Sequence, residues 1–183
     1  MKFIETSLNS VVVLEPEVFG DERGFFLETF REKEFIEAGI TEKFVQHNHS
    51  RSSKGVLRGL HYQLNQPQGK LVRVTSGKVF DVAVDIRMGS PTFGQWYGTT
   101  LDEKNMRMIY VPPNFAHGYV VLSETADFLY MCTDYYHPQS EQGIIWNDPG
   151  ISIQWPITDV TLSDKDKYNP TLAKQDPDKL PKY

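Results

Sequence analysis

Short runs rich in β-branched and aromatic residues follow one another along nearly the whole chain, with turn-forming residues between them. The series begins with Val11 to Leu14, Gly24 to Phe30, Lys43 to His47, Gly55 to Tyr62, Leu71 to Thr75, Val79 to Ile86 and Gln95 to Thr100. It continues with Arg107 to Val111, Gly118 to Leu122, Asp127 to Thr133, Gly143 to Trp146 and Ile151 to Trp155. Segments of strand length at this spacing predict an all-β sandwich or antiparallel barrel, because a parallel α/β fold would need helices between strands. Leu71 to Ile86 reads as a hairpin turning at Ser76-Gly77, with Phe80, Val82, Val84 and Ile86 on one face and Asp81 and Asp85 on the other. Only Arg31 to Ala38 has helical character; Phe35 and Ile36 make its apolar side and Gly39 its cap, so a short peripheral helix is expected. Beyond Trp155-Pro156 the chain turns polar and proline-bearing, as expected of a C-terminal tail laid on the barrel and partly disordered at its end.

A chain of 183 residues can bury a core without disulfides or a structural metal, so residues 1–183 are expected to form a single domain. The net charge of −5 argues against broad nucleic-acid binding, which needs a basic surface, while leaving room for a local cationic pocket. The lone cysteine, Cys132, has no partner for an intrachain disulfide, and Met1 to Ser10 lacks the apolar stretch of a signal peptide. No run has the length of a membrane helix. A soluble protein of the reducing cytoplasm, without nucleic-acid or membrane partners, is the expectation.

Five histidines supply candidate bases. His61 follows an apolar segment that also carries Arg58, so a neutral base there would stand near positive charge; a histidine satisfied within a barrel wall is the alternative. Barrels that hold a metal through His-x-His need a further carboxylate and histidine, but His61 is followed by Tyr62 and Gln63. The chain's one His-x-His is His47-Asn48-His49, with no evident third ligand. His117 enters a strand after a proline turn, either pointing inward near His61 or stabilising the turn. Lys70 opens a strand where its ammonium could face a developing oxyanion, although a solvated strand-end lysine is commoner. Tyr130 shares a parity with Phe128 and Cys132, which suits a buried phenol at a pocket wall or a structural tyrosine.

Several segments stand out in order: Phe19-Gly20-Asp21-Glu22-Arg23-Gly24-Phe25-Phe26, Gly55-Val56-Leu57-Arg58-Gly59-Leu60-His61-Tyr62-Gln63 and Ser90-Pro91-Thr92-Phe93-Gly94-Gln95-Trp96. Phe115-Ala116-His117-Gly118, Tyr130-Met131-Cys132-Thr133-Asp134-Tyr135-Tyr136 and Trp146-Asn147-Asp148-Pro149 extend the series over nearly the whole chain. Together they resemble the dTDP-4-dehydrorhamnose 3,5-epimerases of the cupin class. The resemblance implies a cupin-type barrel or jelly roll that uses neither metal nor cofactor. It also implies a homodimer in which N-terminal residues of one subunit help build the other's site.

The implied reaction is epimerisation of a dTDP-linked 4-keto-6-deoxy sugar at both carbons beside the ketone, on the route to dTDP-L-rhamnose. Such chemistry needs a base, a stabiliser for the enolate oxygen and an acid on the opposite face. The resemblance implies His61 as base, Asp166 or its neighbour Asp164 as its partner, Lys70 and His117 at the enolate oxygen, and Tyr130 as acid. It further implies Arg23 and Arg58 at the diphosphate, Glu28, Gln46, Asn48, Glu141 and Lys165 as substrate contacts, and Phe19 and Phe26 as apolar walls. Strict alternation separates Arg58 from His61, and either a bulge at Gly59 or a reach around the barrel rim would bring both to one pocket. The same alternation turns His47 away from Gln46 and Asn48. Close relatives act at only one carbon, so a single-carbon epimerase is the alternative of the same class; a metal-dependent cupin and a non-catalytic sugar-nucleotide binder are the others.

Overall fold

The structure, a computed structural model, describes residues 1–183. Its elements in chain order are β1 (Lys2–Glu5), β2 (Val12–Glu15), β3 (Val18–Asp21), β4 (Gly24–Leu27), α1 (Glu32–Glu37), β5 (Gln46–Ser53), β6 (Leu57–Gln63) and β7 (Lys70–Ser76). They continue with β8 (Lys78–Asp85), β9 (Trp96–Asp102), β10 (Met108–Val111), β11 (Phe115–Val121), β12 (Thr125–Cys132) and β13 (Glu141–Gly143). Two large antiparallel sheets result, a six-stranded one in the order β1-β2-β10-β7-β12-β5 and a five-stranded one in the order β13-β6-β11-β8-β9. No strand pairing joins them, so the fold is an open jelly-roll-like sandwich rather than a closed barrel. β3 and β4 pair only with each other, as a separate arm.

Three apolar layers explain why so many strand residues are buried on both faces. Between the sheets, Val72, Val74 and Phe128 of the six-stranded sheet pack with Val79, Ala83 and Val121 of the other. The outer face of the five-stranded sheet, with Leu60, Val82, Val84 and Ile86, is covered by Ile144, Ile151, Leu172 and Leu180. The outer face of the six-stranded sheet, with Leu14, Leu71, Met108 and Tyr110, is covered by Phe35 and Ile40. Helix α1 is therefore short but anchored: Phe35 meets Phe3, Phe30 and Phe44 within ring-contact distance. Gly39 at φ +86° ends the helix, its N–H donating to the Ile36 carbonyl at 3.0 Å while the Ile40 N–H donates to that of Phe35 at 2.8 Å.

The structure corrects several sequence expectations. Leu71 to Ile86 is not a hairpin: β7 pairs with β10 and β12, whereas β8 pairs with β11 and β9. At Ser76-Gly77 the chain crosses from one sheet to the other, and the turn's amides are taken by Glu103 and Ser123 rather than by each other. Ile151 to Trp155 forms no strand, β13 ends at Gly143, and β5 runs from Gln46 instead of from Lys43 to His47. β1 and β3 lie outside the predicted series. Ile36 is exposed, since only Phe35 points from so short a helix into the core. The tail is held to its end: the Tyr183 N–H donates to the Met88 carbonyl at 3.1 Å, and the Met88 N–H to that of Pro181 at 2.8 Å.

Candidate active site

Between the sheets, continuous with the apolar core, lies a cavity of about 650 Å³ with polar groups on opposing walls. Strand register explains the six-stranded wall. Cys132 stands opposite both Gln46 and Lys70, and Tyr130 opposite both Asn48 and Val72. Gln46, Asn48, Lys70 and Tyr130 thus share one face, and all four line the cavity. The facing wall comes from β6 and β11, where His61 is opposite His117 and Arg58 is opposite Tyr119. One more residue separates that pair on β6 than on β11, so β6 bulges at Gly59-Leu60. The bulge restores Arg58 to the face of His61, and both line the cavity. Gly59 at φ +114° permits the close approach, because a Cβ there would stand 2.6 Å from the His117 carbonyl oxygen.

The segment from Thr161 to Asp166 closes the cavity and delivers a carboxylate to the histidine: His61 Nε2 and Asp166 Oδ1 are 2.5 Å apart. Asp166 is buried. Burial alone would raise its pKa, but hydrogen bonds from His61, Ser163 and the Gly59 backbone prevail and hold it below the ordinary aspartate value. An ionised Asp166 only accepts, so Nε2 of His61 carries a proton, and in the neutral imidazole the lone pair is on Nδ1. Asp164 instead pairs with Lys167 at 2.8 Å, its side chain exposed.

Across the cavity, burial foremost, with Cys132 and Tyr119 adding to it, pushes the Tyr130 phenol up to about 12; Arg58 and Asn48 oppose the shift. Lys70 is drawn below the ordinary lysine value by burial, against the pull of Cys132, Asp81 and Glu141. His117 Nε2 lies 2.9 and 3.0 Å from the two carboxylate oxygens of buried Asp81. At the rim, Lys165 Nζ and Tyr136 Oη both donate to Glu141 Oε2, at 2.5 and 3.0 Å, and the Tyr136 N–H donates to Gln46 Oε1 at 2.9 Å. Arg58 donates through Nη2 to Ser52 Oγ at 3.0 Å.

Four expected site residues stand outside this cavity within one chain. Phe19 and Phe26 are exposed on the β3–β4 arm, Arg23 pairs there with Asp21, and Glu28 pairs with Arg31 at 2.9 Å. His47 faces away from the cavity as alternation requires, and His49 sits 3.0 Å from Asp127, which also holds Arg51. The wall also includes Ser50, Tyr119, Gln68, Tyr136 and Ser163, which the sequence reading did not single out. Ser50 and Tyr119 continue the alternation of Asn48 and His117 and were readable from it; Gln68, Tyr136 and Ser163 come from outside the strands and carry no periodic signal.

A jelly-roll sandwich whose cavity sets a histidine–aspartate pair against a phenol and a lysine is a cupin-type protein with groups able to donate and accept protons on opposite walls. The dTDP-4-dehydrorhamnose 3,5-epimerase family profile matches residues 5–174. The chain belongs to that family. It is 54% identical over 178 residues to the dTDP-4-dehydrorhamnose 3,5-epimerase of Pseudomonas aeruginosa, covering 96% of this chain and 98% of the relative. Among solved structures it resembles a dTDP-6-deoxy-D-glucose-3,5-epimerase from Legionella pneumophila in complex with dTDP-4-keto-L-rhamnose. That match has TM-score 0.97 and 55% identity, over 100% of this chain and 98% of the other. It also resembles a 3'-monoepimerase from Streptomyces bikiniensis in complex with dTDP-quinovose, at TM-score 0.88 and 33% identity over 93% and 87% of the two chains.

Proposed function

We propose that this protein is a dTDP-4-dehydrorhamnose 3,5-epimerase, inverting both carbons that flank the 4-keto group of a dTDP-linked 6-deoxy sugar in the synthesis of dTDP-L-rhamnose. The observation that carries the residue roles is the common cavity of His61, held by Asp166 on one sheet, and Tyr130 with Lys70 on the other. His61 Nδ1 takes a proton from the carbon beside the ketone, and the C–H electron pair moves into an enolate. The Lys70 ammonium stabilises the enolate oxygen, with His117 beside it. Tyr130 Oη returns a proton to the carbon from the opposite face, after which imidazolium and phenolate re-equilibrate with solvent. Proton transfer alone balances the reaction, so no redox cofactor or metal is called for.

Arg58 is assigned to the diphosphate because a guanidinium fork matches phosphate oxygens. Gln46, Asn48, Glu141 and Lys165 contact the substrate. Arg23, Glu28, Phe19 and Phe26 are assigned to a second copy's site, in a homodimer; the exposed aromatic side chains of the β3–β4 arm support that reading. Cys132, buried and unpaired, suits a cytoplasmic enzyme.

Incubation with dTDP-4-keto-6-deoxy-D-glucose, followed by proton NMR of the reduced product, tests the assignment. Inversion at both carbons is expected. A product inverted at one carbon only would establish the second reading, a single-carbon epimerase, for which the likeness to the monoepimerase speaks.

A further inference from the structure

The carboxylate that orients His61 is carried by a strap, residues 161–172, which is tied to the body at both ends. At the start, the Thr161 N–H donates to the Gly55 carbonyl at 2.9 Å and the Leu57 N–H donates to the Thr161 carbonyl at 3.0 Å. At the far end, the Ile145 N–H donates to the Pro170 carbonyl at 2.9 Å. A further tie at this end is a side chain: Asp148 Oδ2 accepts from the Leu172 N–H at 2.6 Å. Asp148 is itself buried at 3% exposure, and its Oδ1 accepts from the N–H groups of Gly150 and Ile151 at 2.7 and 3.3 Å. The carboxylate thus bridges two segments distant in sequence, with both oxygens engaged, and it lies outside the wall of the cavity.

We propose that Asp148, in the Trp-Asn-Asp-Pro segment, is a positioning residue for catalysis that acts through the strap on Asp166, and through Asp166 on His61. The inference rests on the epimerase reading. A carboxylate is required because it offers acceptors on both oxygens. Asparagine at the same place keeps the shape but turns an N–H₂ either toward the Leu172 N–H or toward those of Gly150 and Ile151, so the ties on one oxygen are broken and face a donor. Displacement of a catalytic constellation by about an ångström costs on the order of a hundredfold in rate. Leu172 also packs in the apolar layer beneath the five-stranded sheet, so the strap loosens without being released from the body.

The test is a double-mutant cycle, with turnover of dTDP-4-keto-6-deoxyglucose and solvent-deuterium exchange as readouts. Asp148→Asn is expected to lower kcat by roughly ten- to a hundredfold. In an Asp166→Asn background the same substitution is expected to change the residual rate less than about twofold, since the group it acts through is already lost. An equal loss in both backgrounds, or a kcat for Asp148→Asn within about twofold of the parent, would overturn the proposal. Gly143→Ala supplies an independent displacement should Asp148→Asn fold poorly: a Cβ there would stand 2.4 to 2.5 Å from the Asn169 amide group of the strap. It is expected to show the same dependence on Asp166, and additivity would again contradict the proposal. An inactive parent protein would refute the epimerase reading itself, separately from the role of Asp148.

Discussion

Lys70 and Tyr130 are displaced from their ordinary titration ranges in opposite directions by the same enclosure, because burial penalises the ammonium in one and the phenolate in the other. The sign of each matters for the rate. In the proposed mechanism Lys70 acts as a cation, so its contribution is lost as pH rises through a pKa that lies below the ordinary 10.5. Tyr130, the proposed acid, acts in its neutral form and keeps its proton to about 12. The alkaline fall of kcat should therefore lie below the lysine range and follow Lys70; a kcat–pH profile that holds level beyond 10.5 would contradict this. Lys70→Gln should reduce kcat by about a hundredfold, the scale of one lost oxyanion donor. Asp166 could not be separated from Asp164 by residue type or charge. What distinguishes them is the turn from Ser163, which points one carboxylate at His61 and leaves the other in solvent.

At the level of single elements, the most consequential feature is the extra residue in β6. Without it, Arg58 would face the layer beneath the five-stranded sheet, and the guanidinium and the His61 imidazole would not share a cavity. Gly59→Ala places a Cβ 2.6 Å from the His117 carbonyl oxygen and 2.7 Å from Gly118 Cα at positive φ, and should destabilise the fold by about 2–4 kcal/mol. Chemical unfolding would measure that cost; an unchanged midpoint would show that the bulge does not depend on glycine. The sequence exposed this bulge indirectly, since alternation broke where two proposed site residues had to meet. Alternation also located both faces of β8, but it could not say which strand β8 pairs with. A two-residue turn marks where the chain reverses, while packing decides whether the return strand joins the same sheet or the facing one. Ile151 to Trp155 resembles a strand in sequence for a related reason: its apolar residues cover the outside of a sheet instead of extending it.

On the scale of the whole molecule, the fold class was legible because turn-separated strands with few helices leave little but a sandwich or barrel, whereas the tail's role was not. Its polar, proline-bearing sequence looks like a loose end, yet Asp166, Leu172 and Leu180 on it are buried. The arm is the converse case, apolar in sequence and exposed in the single chain. If it completes a partner's site, co-expressed His61→Ala and Arg23→Ala chains should regain about a quarter of parental activity, because half of the dimers formed carry one intact site. Mixtures that stay inactive would place Arg23 in its own subunit's site, and Arg23→Ala chains active on their own would place it outside the site. The catalytic expectations depend on the imidazole and the phenol working on one sugar from opposite sides. Proton NMR of dTDP-4-keto-6-deoxyglucose in heavy water, with the parent protein, His61→Ala and Tyr130→Phe, tests this most directly. Deuterium should enter beside the ketone with the parent, not at all with His61→Ala, and without correct inversion with Tyr130→Phe. Undiminished exchange in His61→Ala would contradict the account.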